Sequence, residues 1–223
     1  MPFRSSHRPV SSPLILAMTG AEDAAPGDWL TLWGKERENY LPTSLGRTDP
    51  PGRNAWVTAL GAAIARADRP VILVARGLAC HAVAWWAAME RPSYGAPVAG
   101  ALLVAPPNVD TANTGLRLAE FGPAPKVLLP FPSVVIASRN DPQMDFAGAS
   151  KLSGFWGSHC IDGGEIGTAG PEADLGSWDH GRHALDWLVA AAGDHARALA
   201  GPIRTDNVVP LRSPHAYGND LSL

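Results

Sequence analysis

The chain has 223 residues, 46% hydrophobic and 17% charged, a size that suits one compact domain. Eighteen basic against 21 acidic side chains leave a formal charge of −3, which excludes an electrostatic footprint for nucleic acid. Eight tryptophans argue against disorder, because so much apolar surface can offset chain entropy, while 21 prolines and 23 glycines require many loops.

Residues 1–12 read as an N-terminal extension, 13–200 as a single α/β domain and 201–223 as a C-terminal tail with three prolines and little periodicity. Leu14 to Ala17 predicts a buried strand. Asp28 then opens a helix with Trp29, Leu32 and Trp33 on one face at i, i+3 and i+4. Proline and glycine between Leu41 and Gly52 predict a loop, and Asn54 is the expected N-cap of a helix through Ala67. Trp56, Leu60, Ala63 and Ile64 form the inner stripe of that helix.

Pro70 to Ala75, apolar at every position after its proline, predicts a buried parallel strand that runs into a helix from Leu78 to Met89. Val98 to Ala105 predicts a further strand, stopped by Pro106 and Pro107. Pro132 to Ser138 is another, followed by a helix around Met144 to Trp156. Ser158 to Asp162 is the last predicted strand, and Trp178 to Leu199 the closing helix, with Leu185, Leu188 and Val189 inward. This alternation predicts an α/β fold, a central and mostly parallel sheet flanked by helices on both faces.

No run of about 18 apolar residues occurs, so no membrane span is expected. The apolar core behind Arg4 and Arg8 is short for a signal peptide. Cys80 and Cys160 are too few for a disulfide framework or a structural zinc site. Both are expected as buried free thiols of a reducing, cytoplasmic compartment, and no cofactor is expected. Asp179, His180 and His183 lie within one helical turn, but an exposed polar turn explains them better than a metal site.

Ligands of such sheets bind beyond the carboxyl ends of the strands. Gly20, Arg76, Leu78, Pro106 and Asp141 are the expected pocket residues at those ends. The segment Ala75-Arg76-Gly77-Leu78-Ala79 sits where strand turns into helix and has small residues two before and two after its centre, the packing rule of a hydrolase nucleophile elbow. Its centre is Gly77, which adopts the positive-φ conformation of such a turn without strain but carries no hydroxyl or thiol.

From about Leu14 to about Leu199 the chain resembles the YdeN-like, or retinoblastoma-binding-protein-9-like, serine hydrolases of the α/β-hydrolase superfamily. The resemblance is carried by Val74-Ala75-Arg76-Gly77-Leu78-Ala79-Cys80, where the family typically reads V-A-H-S-L-G-C. It is carried also by Ala101 to Pro107, by Phe131 to Pro142, and by Asp162 to Trp178 with its closing Leu175-Gly176-Ser177-Trp178. It implies a Ser, Asp, His triad whose acid falls on Asp141, whose nucleophile falls on Gly77 and whose histidine falls on Thr168. The first loop, Ala17 to Asp23, keeps Gly20 but has lost most of the glycine-rich pattern that supplies an oxyanion-hole amide.

Glycine offers no atom for an acyl bond, and threonine cannot act as a base near neutral pH. The expected protein is therefore a catalytically degenerate hydrolase fold that binds a small molecule, scaffolds or regulates, with a small anionic ligand or a protein as its partner. The alternative is an active hydrolase of small esters or amides with a non-standard nucleophile. Cys80 lies three residues, about 4.5 Å of helix rise, beyond Gly77 and is expected to face the sheet. His81 beside it points elsewhere, and His159 and His180 are expected to be structural. Ser138 and Thr168 flank the pocket without an evident base. Asp141 either caps the following helix and pairs with Arg76 or Arg139, or binds ligand. Arg76, in place of the family's histidine, is expected to bring a fixed positive charge to the pocket mouth. Gly163 to Gly167 lacks the Lys-Ser/Thr pair of a phosphate loop and reads as a plain loop.

Overall fold

The computed structural model describes residues 12–19, 24–46, 51–111 and 116–200. The extension through residue 11, the tail 201–223 and Gly20 lie outside the described residues. In chain order the elements are β1 (Leu14–Met18), α1 (Trp29–Glu36), β2 (Tyr40–Pro42), α2 (Arg53–Ala65), β3 (Val71–Arg76) and α3 (Ala79–Glu90). They continue with β4 (Val98–Val104), α4 (Leu116–Ala119), β5 (Ser133–Ala137), α5 (Phe146–Trp156), β6 (His159–Asp162), a 3₁₀ turn at Pro171–Ala173 and α6 (Asp179–Ala200).

The strands form one parallel sheet in the order β2-β1-β3-β4-β5-β6. β3 and β4 are buried at every position, as parallel strands covered on both faces must be. Along β3, Val71, Leu73 and Ala75 point into the layer built with α2, α3 and α5, which holds Trp56, Leu60, Val83 and Trp156. Ile72 and Val74 point into the opposite layer, against Trp29 and Trp33 of α1 and Leu185 and Leu188 of α6. The period-two alternation thus divides one apolar run between two cores. Among the described residues no helix is long and apolar enough to cross a membrane.

Four local readings change. Tyr40 to Pro42, entered by the predicted loop at Leu41, is an edge strand that pairs Ile15 with Tyr40 and Ala17 with Pro42. An edge tolerates proline because the missing N–H faces no partner strand. Asn54 is not the cap of α2: Gly52 holds the N-cap position, and the Asn54 Oδ1 accepts from Arg53 Nε at 3.3 Å. α5 starts at Phe146 rather than near Met144, because the Asp145 carboxylate caps it by accepting from the Gly148 N–H at 2.7 Å. On α1 the deeply buried set is Trp29, Leu30 and Trp33, with Leu32 only half-buried.

Aromatic contacts fix α1 against the approach to α6. Trp29 and Trp33 lie edge to face at 4.6 Å, and Trp178 packs on Trp29 at 5.0 Å. The Trp29 indole donates to the Ala169 carbonyl at 2.9 Å and the Trp33 indole to the Ser177 carbonyl at 2.8 Å. Each buried ring therefore has its polar atom satisfied while filling the core. Trp33→Ala removes a fully buried ring and is expected to cost about 3–5 kcal/mol, read as a lower urea midpoint at unchanged slope.

Candidate functional site

β3 ends at Arg76, and the chain reverses into α3 through Gly77, whose φ is +58°. The Gly77 N–H still donates to the Val104 carbonyl of β4 at 2.9 Å, and its own carbonyl accepts the Cys80 N–H at 3.0 Å. Ala75 and Ala79 are fully buried on either side, so the turn is closely packed beneath. Above it there is room: a Cβ placed on Gly77 would meet nothing within 4 Å. The turn is left-handed and carries no side chain.

The loops after β5 and β6 meet at the same carboxyl end of the sheet. Asn140 Oδ1 accepts from the Gly167 N–H at 2.7 Å and from the Ser138 hydroxyl at 3.0 Å. Thr168 follows directly, and its hydroxyl donates to the Glu172 carboxylate. That hydrogen bond, with smaller help from Arg76, holds the Glu172 carboxyl below the usual range. Asp141 is half-buried, and its burial raises its pKa against hydrogen bonds from the Gln143 and Met144 N–H groups, with Glu172 adding a raising charge. The three positions expected for the triad thus follow the carboxyl ends of β3, β5 and β6, where the chemistry present is a glycine, a hydroxyl bound to a carboxylate, and an acid.

Asp141 has neither partner expected of it. Its Oδ1 accepts the Gln143 N–H at 2.8 Å, closing a turn, while Asp145 caps α5. Arg139 forms a two-pronged contact with Asp162. Arg76 differs most from expectation. Its guanidinium is turned under the elbow, with the side chain 6% exposed, and pairs with the fully buried side chain of Asp28 while donating to the Ala169 carbonyl at 3.2 Å. A guanidinium at a buried position without a carboxylate would carry its full desolvation cost, so the side chain seeks Asp28 rather than the cleft mouth. No free positive charge from Arg76 reaches a ligand there. Leu78 packs into the core beneath α3, and Pro106 is buried after β4.

Cys80 is fully buried, with its thiol directed at the Ala75 and Val104 carbonyls, and burial pushes its pKa far up. That environment suppresses a thiolate nucleophile. Cys160 is half-buried rather than buried, because β6 is an edge strand. His159, His180 and His183 are exposed, and Asp179 pairs with Arg182. Among the described residues no group of three His, Cys, Asp or Glu could hold a metal ion.

Sequence reasoning gave His81 no part in a pocket. Its ring is buried on α3, lies edge-on to Trp156 at 5.6 Å between centroids, and donates from Nε2 to the Pro107 carbonyl at 2.7 Å. With Pro107, Met144 and Lys151 it lines a cleft of about 230 Å³ between α3, α5 and the loop after β4. Burial lowers its pKa to about 4. The only signal in the sequence was its place four residues after Gly77, in the first turn of the helix that follows.

A family model described as serine hydrolase matches residues 15–187. The chain belongs to the serine hydrolase family. Solved structures show the same α/β-hydrolase fold. A YdeN-like hydrolase from Pectobacterium atrosepticum superposes with a TM-score of 0.69 at 24% identity, covering 82% of this chain and 94% of that one. The ydeN gene product of B. subtilis gives 0.66 at 18% identity, over 80% and 99%. The N-formylmaleamic acid deformylase of Pseudomonas putida S16 gives 0.59 at 11%, over 78% and 92%. Comparison with curated proteins returns no match.

Two measurements test the electrostatics of this family member's site. Asp28→Asn strands the buried Arg76 charge and is expected to cost about 3–5 kcal/mol in urea unfolding, most of it recovered when Arg76→Met is added. For His81 the folded pKa, about 4, lies below its ordinary 6.5. Its contribution is therefore complete above pH 6.5 and is lost as the pH falls through that window toward 4, a difference on the order of 3 kcal/mol. Urea unfolding across this range is expected to show a shallower pH slope in His81→Gln than in the unaltered chain.

Proposed function

We propose that this member of the serine hydrolase family no longer performs acyl transfer and acts as a binding or regulatory protein on the hydrolase scaffold. The observation that carries the reading is Gly77 at φ +58°, a nucleophile elbow with no side-chain atom on which an acyl bond could form. Thr168 at the histidine position supports it, since its hydroxyl is committed to Glu172 and cannot take and return a proton at neutral pH. Loss of one triad member leaves roughly 10³–10⁴-fold catalysis over water even where the oxyanion hole is intact.

The rival reading, a hydrolase of small esters or amides with another nucleophile, has weak candidates. Cys80 is sealed with its thiol protonated, and Ser138 donates to Asn140, which is no base. The ligand of a binding protein here is a small anion or a protein segment, and the anion has to be held by charges other than Arg76.

A fluorophosphonate probe and p-nitrophenyl acetate separate the two. The purified protein is expected to show neither labelling nor turnover above a mock purification, and a covalent adduct on a residue of the cleft would overturn the reading. In Gly77→Ser/Thr168→His the open space above the elbow admits the new hydroxyl at a backbone cost of about 1–3 kcal/mol. Probe labelling is expected to appear in that variant, with mass spectrometry placing the adduct at position 77.

A further inference from the structure

The cleft at His81 contains none of Gly77, Asp141 and Thr168. Its volume, about 230 Å³, is below the roughly 300 Å³ at which drug-sized pockets begin, so it suits a molecule of about ten non-hydrogen atoms. Met144, Leu152 and Phe155 supply a largely apolar wall in which a thioether and an aromatic ring favour a flat π-system.

The charged groups on the cleft are two lysines and one carboxylate. Asp110 is partly committed, since its Oδ1 accepts the Ala124 N–H at 2.7 Å and its Oδ2 is 3.8 Å from the Lys126 ammonium. Lys126 also lies 5.6 Å from the centre of the Phe155 ring, so a cation and an aromatic face already meet in one wall. Lys151, one residue before Leu152 on α5, pairs with no carboxylate among the described residues. His81 is held neutral by burial and adds no charge, and its Nδ1 has no hydrogen-bond partner. The surplus at the cleft is therefore one positive charge beside an apolar, aromatic wall.

We propose that this cleft binds a small aromatic carboxylate, its ring against Phe155 and Met144 and its carboxylate between Lys151 and Lys126. The inference deepens the binding reading above by naming a ligand class and a place for it away from the elbow. The anion is taken by the α5 side of the molecule, where the lysines are, and not by Arg76.

The test is titration of the full chain with benzoate and with benzamide, its neutral isostere, at low ionic strength, followed by amide chemical shifts and calorimetry. Benzoate is expected to shift the amides of Asn108 and Gly148 and to bind at least fivefold more tightly than benzamide. Lys151→Glu is expected to weaken benzoate at least fivefold. Lys35→Glu, the same charge reversal on α1 across the sheet, is expected to leave it unchanged. Equal affinity for the two probes, indifference to Lys151→Glu, or no shift at the cleft would each overturn the site. Those results would leave the absence of probe labelling at the elbow standing, and labelling of the elbow would leave benzoate binding standing, so the two readings fail separately.

Discussion

The buried pair of Asp28 and Arg76 ties together the start of α1, the end of β3 and the loop after β6. Asp28 uses one carboxylate oxygen to cap α1 through the Leu30 N–H and the other to receive Arg76 from the end of β3. Arg76 and the Trp29 indole both donate to the carbonyl of Ala169, a residue at φ +53° in the loop that carries Thr168. Two charges placed together in a core must find good geometry and further hydrogen bonds to offset desolvation, and both conditions are met. The Tyr40 hydroxyl stands nearby without a hydrogen bond, its ionisation pushed up by burial and by the Asp28 charge. The pair also explains why the residue next to Gly77 contributes nothing to the cleft: its charge is spent beneath the elbow.

Two residues at the carboxyl ends of neighbouring strands share a left-handed backbone. Gly77 keeps a left-handed conformation, and Ala105, one strand over, adopts φ +48° while its N–H reaches the Ile136 carbonyl at 3.0 Å. An alanine in that region costs energy that a glycine does not, so the surrounding packing must hold it there. Glycine at position 77 takes the same region without that cost. Beneath that turn the close packing of β3 on α3 rests on the fully buried Ala75 and Ala79.

The sheet was legible because β3 and β4 are continuous apolar runs, and the helices because tryptophans and leucines recur at helical spacing between them. The glycine at the elbow was legible for the same reason, since a strand–helix junction with flanking alanines restricts what its centre can be. The fate of Arg76 was not, because its partner lies 48 residues upstream and no local pattern joins an N-cap aspartate to a strand end. Asp141 and Asp145 illustrate the same limit at short range: both precede α5, either could cap it, and only the position of the first helical N–H groups decides for Asp145. β2 was hidden by Pro42, which reads as a loop signal until the strand is known to lie at an edge.

α3 connects the turn at Gly77 to the cleft lined by His81. It begins two residues after Gly77, and Ala79, Cys80, Ala82 and Val83 lock it to the sheet with no exposure at all. His81, between them in sequence, turns toward Trp156 of α5 and ties the helix to the loop after β4 through Pro107. A cleft whose inner wall is a helix fixed in this way exists before any ligand arrives, so little ordering entropy stands against binding. The mobile groups are the lysine side chains at its rim, whose flexible stems and hydrated heads suit them to gather a carboxylate without a preset geometry. A rigid apolar wall with adaptable charge beside it therefore suits the aromatic carboxylate proposed for this cleft, whatever the chemistry of the turn at Gly77.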